Sequence, residues 1–296
     1  MVIKETINVR DNRLTDGLIP VLNIMNRVEN SSDKSITVDF SNAKFISPVF
    51  ALSLIVYLSK CGRQVTMCGE NVYMSTIALP SWGISPDQMR GTAFRAMMEG
   101  YSRKTYIPIV SFPALSNNDE KESISSVVED IIIRQSRIPS NVAAGIKYMV
   151  YETIDNITEH SESDRGFIFA QAYPQKGYVD LCVADRGVTL LGSYQRLQDN
   201  EIATDLEAIR AANRGISSKN RPEAENRGYG IYTSKRMLVE GLGGQYLMLS
   251  GSNFYLKSPT ADSFFNLPGG LRWDGTIIAL RIPYNVSQFN YVDYIE

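Results

Sequence analysis

The stretch Asn141–His160, NVAAGIKYMVYETIDNITEH, decides the fold of the second half of this 296-residue chain, together with Leu181–Gly187 (LCVADRG) and Asn226–Gly241 (NRGYGIYTSKRMLVEG). The spacing predicts a helix over 141–160, with Ser140 as its N-cap after Pro139. Glu152 and Asn156 are four residues apart and so share one face of that helix. A carboxylate beside an amide oxygen suits a base next to a hard-metal ligand, since magnesium takes oxygen donors and keeps several waters; Glu-x-x-x-Asn alone equally describes a solvated helix face. Asp185-Arg186-Gly187 directly follows an apolar strand, where a carboxylate can meet a ligand and glycine permits close backbone approach. Gly228-Tyr229-Gly230 then opens a helix that runs to Gly241. Free amides and the helix dipole at such a start favour an anion.

Outward from these words, strands are predicted at Gly166–Ala172 and Tyr178–Ala184, joined by a Pro-Gln-Lys-Gly turn. A helical piece at Glu201–Asn213 sits in a long segment from Val188 to Arg227 with a polar, Lys/Arg-bearing remainder, and strands follow at Gln245–Ser250 and Gly275–Ile282. Upstream lie a strand at Tyr106–Phe112 and a helix at Lys121–Gln135. The first half alternates in α/β grammar: strand Val2–Val9, helix Leu14–Val28, strand Ser35–Phe40, helix Phe50–Lys60 stopped by Gly62, strand Arg63–Cys68, with a helix at Pro86–Glu99. This pattern implies a largely parallel sheet in a first domain, 1–100, and a second domain, 101–296.

With 30 basic and 32 acidic side chains, the net charge of −2 gives no general electrostatic grip on nucleic acid or anionic lipid. The single histidine, His160, excludes a His-rich metal cage and any mechanism that needs two histidines. It stands at the end of the Glu152–Asn156 helix, where a histidine can cap carbonyls or face a ligand. Three cysteines (Cys61, Cys68, Cys182) without a CxxC pair fit a reducing compartment better than a disulfide framework or a thiolate zinc site. The first residues, MVIKETINVRDNRL, have no apolar signal core, and Val49–Leu58 is too short to span a bilayer. A cytoplasmic protein without a membrane segment is expected.

The ordered words ExxxN, DxG, GxG at a helix start and Gly275-Thr276 on a final strand resemble the GHKL superfamily of ATP-binding domains. The phrases YMVYETIDNITEHS, LCVADRG, NRGYGIYTSKRMLVEGLGG and GTIIALRIP are most similar to its kinase and anti-sigma-factor branch. The resemblance implies a Bergerat-fold α/β sandwich, a mixed sheet covered by helices on one face, that binds ATP with Mg²⁺. Glu152 would be the catalytic residue that polarises a water or an acceptor hydroxyl, and Asn156 the metal ligand. Asp185 would accept a hydrogen bond from the adenine amino group, Gly187 would line the base, and Thr276 would support it through water. Gly228, Tyr229 and Gly230 would wrap the phosphates. Val188–Arg227 would be the ATP lid, with Lys219, Arg221 or Arg227 as phosphate partners. Where the family word is often DxGxG, this chain has Thr189 at the second glycine position. Threonine disfavours positive φ, which implies a stiffer lid hinge.

The first 70–80 residues, through ITVDFSNAKFISPVFALSLIVYLSKCGRQVTMCG, resemble a STAS-like domain, the fold of anti-sigma-factor antagonists. Laid on the antagonists' Asp-Ser-Ser-Gly word, this chain reads Ser47-Pro48-Val49-Phe50, with proline at the phosphoacceptor position and Ser47 beside it, either as a substitute or as a helix cap. The fold class expected is therefore α/β (α+β), a STAS-like unit followed by a GHKL unit. The function implied is an ATP-binding regulatory protein of the bacterial signalling type, a serine kinase or ATPase that acts on a regulatory protein partner, with a homodimer left open. The alternative is an interaction module or slow ATPase switch, as in stress or phage defence. A complete histidine kinase is not expected, since the chain has no second histidine to serve as phosphoacceptor ahead of the ATP domain.

Overall fold

The computed structural model describes residues 1–4, 13–43, 46–89, 92–113, 118–196, 202–216, 229–286 and 289–295. The first part of the chain runs β1 (Val2–Lys4), α1 (Leu18–Glu29), β2 (Ser35–Asp39), α2 (Pro48–Ser59) and β3 (Gln64–Cys68), then two short helices, α3 (Val72–Thr76) and α4 (Ala93–Glu99). The second part runs β4 (Val110–Pro113), α5 (Asn118–Ser136), α6 (Ser140–His160), β5 (Arg165–Tyr173), β6 (Tyr178–Asp185), α7 (Leu190–Arg196), α8 (Asp205–Asn213), α9 (Tyr229–Arg236), β7 (Gln245–Gly251), β8 (Asn253–Ser258), β9 (Ala261–Asn266) and β10 (Trp273–Pro283).

The α/β grammar of the first half is present as a three-stranded parallel sheet in the order β1-β2-β3. The second sheet has the order β4-β5-β6-β10-β7-β8-β9, and every neighbouring pair in it is antiparallel. The mixed sheet expected from the resemblance is thus corrected. Hairpins join β5 to β6, β7 to β8 and β8 to β9, and β10 returns to the centre, so no two of these seven strands pair in parallel; the one parallel bridge at this sheet among the described residues is from Ile84 to Val110 of β4. The β8–β9 hairpin was not expected. Its strands interleave aromatics with polar residues in FYLK and DSFF and lie at the sheet edge, so no apolar run marks them.

Alternation across the strands sends side chains to two cores. Ile168, Leu181, Val183, Met248, Ile278 and Leu280 join Val128, Ile132, Ile146 and Val150 of α5 and α6. Phe167, Phe169, Cys182, Ala184, Leu247, Leu249, Ile277 and Ala279 join Phe50, Leu54, Leu22 and Met25 of α2 and α1. The helices on one face were expected; the other face is covered by the N-terminal unit. The layers therefore run from small sheet to helices α1 and α2, large sheet, and helices α5 and α6. Helix α2 is buried from Pro48 to Leu58 because it has a sheet on either side, the usual reason for a helix that is apolar all round. Each of its buried Val, Leu, Ile and Phe side chains contributes about 1.5–3 kcal/mol of burial.

The connecting segment is stitched to the large sheet. Arg165 donates to Ser111 Oγ and to the Ser111 carbonyl, both at 2.6 Å, and pairs with Asp87 at 3.0 Å. The helix expected over Pro86–Glu99 is instead a 3₁₀ turn at Pro86–Gln88 followed by α4. At the start of α6, Pro139 occupies the cap position and Ser140 is already helical, without a side-chain cap hydrogen bond. Among the described residues no helix is long and apolar enough to cross a membrane.

Candidate functional site

Strand β6 ends on Asp185, which is wholly buried between the starts of two backbone turns. Gly187 N–H donates to Oδ1 at 2.8 Å, and Thr276 N–H donates to Oδ2 at 3.1 Å. A bulge in β10 makes the second contact: the β7–β10 register shifts between Trp273 and Thr276, and Gly275 takes φ 104°. A Cβ at Gly275 would stand 2.6 Å from both Asp185 O and Oδ1, so only glycine fits. Burial raises the Asp185 pKa to about 7, while the two amides and the charge of Lys60 pull it back toward the ionised form.

Asp185 opens on a narrow cleft whose empty space, open solvent included, is about 330 Å³. Asn156 and Thr276 line it too, with apolar walls from Ile157, Val188, Leu190, Met248 and Ile278 and hydroxyls from Ser161 and Ser193. Asn156 donates through Nδ2 to the Glu152 carbonyl at 2.6 Å, so its Oδ1 is the atom offered to a ligand. One turn back on α6, the Glu152 carboxylate lies against Gly230, where a Cβ would run into Oε2. Gly187 fits closely for a related reason. A Cβ there would run into the Ser161 carbonyl, which also accepts Val188 N–H at 2.5 Å.

The fold thus gathers Asn156, Asp185 and Thr276 on one cavity, packs Gly187 against its Ser161 wall, and sets Glu152 against Gly230 at the start of α9. Tyr229 is the first residue of α9. Gly228, Lys219, Arg221 and Arg227, and the side chains of Tyr229 and His160, lie outside the described residues. Thr189 has a role that its place in the word did not suggest. It adopts no left-handed conformation, and it starts α7: Gly192 N–H donates to its Oγ1 at 3.2 Å and Ser193 N–H to its carbonyl at 3.0 Å. A glycine is not required there, and threonine is a good cap.

The segment expected to form a lid is partly built into the body. Helix α8 has a capping box between Thr204 and Glu207, and the buried Asp205 at its start accepts from Ser252 N–H at 2.9 Å and from Arg272 Nη1 at 3.0 Å. Lys235 of α9 donates to the Asn213 carbonyl of α8 at 2.5 Å and lies over the Tyr232 and Tyr255 rings at 5.4 and 5.5 Å. Its burial lowers the ammonium pKa to about 8.

Ser250, Ser161 and Ser193 carry no motif and were not singled out. Ser250 Oγ accepts Leu190 N–H at 3.0 Å and donates to the Gly275 carbonyl at 2.9 Å, joining α7 to the bulge. At the other end of α2, Ser47 is 3% exposed and accepts Phe50 N–H at 3.3 Å, with Pro48 at the first helical position, as a helix cap does. No group of three or more His, Cys, Asp or Glu among the described residues could hold a metal ion, so a cation here would depend on Asn156 and on ligand oxygens. The three cysteines are free. No protein-family model matches the chain, and no curated protein or solved structure is significantly similar to it.

Proposed function

We infer that the protein binds Mg-ATP at the ends of β6 and β10 and works as a regulatory ATP-binding protein of the bacterial signalling type. The Asp185 carboxylate supports this most. It is buried, both oxygens are fixed by backbone amides, and each oxygen retains a lone pair for a donor in the adjoining cavity. A purine with an exocyclic amino group satisfies that acceptor; a base that presents a carbonyl there leaves it unpaired and is rejected. The apolar walls of the cavity suit the faces of such a ring.

Asn156 Oδ1 would hold Mg²⁺, and Glu152 would take the proton of an attacking water or acceptor hydroxyl. When bound, Mg-ATP supplies an electrophilic phosphorus whose charge the metal offsets. Gly230 would bring the α9 amides toward the phosphates. The output is phosphate transfer to a protein serine or slow hydrolysis that controls a regulatory partner in the cytoplasm. Ser47 is buried as a cap, so the acceptor serine is sought in a partner protein. The same burial favours a second reading, a nucleotide switch with no kinase step.

Radiolabelled ATP binding by the full chain tests the first statement. Asn156→Ala is expected to abolish it, and undiminished binding would remove Mg²⁺ from Asn156. Turnover that Glu152→Ala abolishes identifies an enzyme, and binding without turnover identifies the switch.

A further inference from the structure

The large sheet meets the N-terminal unit mostly through apolar side chains, with polar contacts at Tyr73–Gln171, at Arg165–Asp87 and at the turn that carries Asp185. Arg186 Nη1 donates to the Tyr57 carbonyl in the last turn of α2 at 2.6 Å, with its guanidinium 5.6 Å from the Tyr57 ring centroid. In return Lys60, the C-cap residue of α2, donates through Nζ to the Arg186 carbonyl at 2.6 Å. Each side chain satisfies a carbonyl on the other element. The last carbonyls of a helix lack intrahelical donors and favour a cation, so α2 is a natural anchor for Arg186.

Lys60 also pairs with Asp164 at 3.2 Å. Asp164 belongs to the loop whose Ser161 carbonyl accepts Val188 N–H and closes on Gly187. Arg186 reaches Asp274 at 3.4 Å as well, beside the bulge that presents Thr276 N–H. The two amides that orient Asp185 therefore stand on segments tied, through Lys60 and Arg186, to the end of α2. Helix α2 is packed between two sheets along its length, so its end is a rigid reference point.

We propose that Lys60 is a positioning residue of the nucleotide pocket: by holding the Arg186 carbonyl it sets the 185–187 turn and couples the N-terminal unit to the base-binding end of the site. This rests on the ATP-binding reading above. Occupancy of the pocket then steadies the end of α2, and anything that displaces α2 weakens nucleotide binding by the same factor, as linkage requires.

The test uses the full chain, Mg-ATP and Mg-ADP, and the variants Lys60→Met, Lys60→Arg and Arg186→Met, with the exposed Lys34→Met as a charge control. Lys60→Met is expected to weaken both nucleotides about tenfold and equally, because the base end is common to them. Lys60→Arg restores most of the affinity, and the double variant Lys60→Met/Arg186→Met is less impaired than the two single losses multiplied. Without nucleotide, amides 186–188 exchange faster in Lys60→Met; in the parent chain, Mg-ATP slows exchange at 56–61. If Lys60→Met binds both nucleotides like the parent while Asn156→Ala loses ATP, the coupling is wrong and the ATP reading stands. A loss that Lys60→Arg does not rescue, accompanied by a lowered melting temperature, overturns it as well. A parent chain that binds no ATP overturns both.

Discussion

Helices α2 and α6 lie on opposite faces of one seven-stranded sheet, and they differ in what they bury. Apart from the buried Ser53, helix α2 presents aliphatic and aromatic side chains all round, with polar contacts at its two ends, the Ser47 cap and the Tyr57–Lys60 turn. Helix α6 has an apolar stripe in the core, and on its flank Asn156 reaches a cavity while Glu152 meets the opening glycine of α9. The pocket side has a buried carboxylate, a glycine at φ 104° and Glu162 at φ 48° next to Ser161, while Ala78, Trp82 and Arg137 take positive φ elsewhere and α2 buries Ser53 Oγ without a hydrogen-bond partner among the described residues.

The largest effect expected from this contrast is in α2. Phe50→Ala removes a wholly buried ring from the shared core and should cost about 3–5 kcal/mol in denaturant unfolding. One cooperative transition is expected, because the core runs from the small sheet into the large one. Two separated transitions would break the comparison and make the units independent. Gly187→Ala should act on the other side of the contrast. Its Cβ would displace the Ser161 carbonyl, and nucleotide binding should weaken by tenfold or more, about 1.4 kcal/mol, with a smaller loss of stability than Phe50→Ala.

A third measurement is pH dependence. Asp185 titrates near about 7 in the folded chain, above the ordinary carboxylate range. Between that range and pH 7 the native state holds a proton that the unfolded chain has released. The stability contributed by this group is therefore full in acid and is lost as pH rises through about 7. The acceptor role needs the carboxylate, so adenine-nucleotide affinity should rise across the same window, approaching about tenfold per pH unit below 7. Asp185→Asn should flatten both profiles; a flat profile in the parent chain would remove Asp185 from base recognition.

The smallest effect is at Lys235, whose ammonium titrates near about 8. The unfolded chain binds more protons above that pH, so the penalty from this buried charge is full below about 8 and fades as pH rises. Lys235→Met should remove that upward slope, which unfolding between about pH 8 and 10.5 would read.

Much of this arrangement was legible in local pattern. The strand at 35–39, the wholly apolar helix after Ser47-Pro48 and the pair Glu152/Asn156 are where the 3.6- and 2-residue periods put them. Asp185 and Gly187 were legible because a carboxylate and a glycine closing an apolar run have few structural uses. The β8–β9 hairpin was not, since a half-exposed edge pair needs no continuous apolar run. Nor were Ser161, Ser193 and Ser250, because a hydroxyl gains its role from what lies within 3 Å of it. Thr189 misled as a missing glycine; whether φ is positive there depends on where α7 starts.

By itself the sequence determined most of the elements, apart from the β8–β9 hairpin and the broken helix at 86–99, and the alternation of the strands, because these follow from side-chain period and backbone preference over a few residues. Only the tertiary structure decided that the sheet is antiparallel throughout, that the N-terminal unit seals its second face, and that Lys60 meets the carbonyl of Arg186, 126 residues away. Those outcomes depend on which surfaces find each other once the chain collapses, and local pattern contains no term for contacts at that separation.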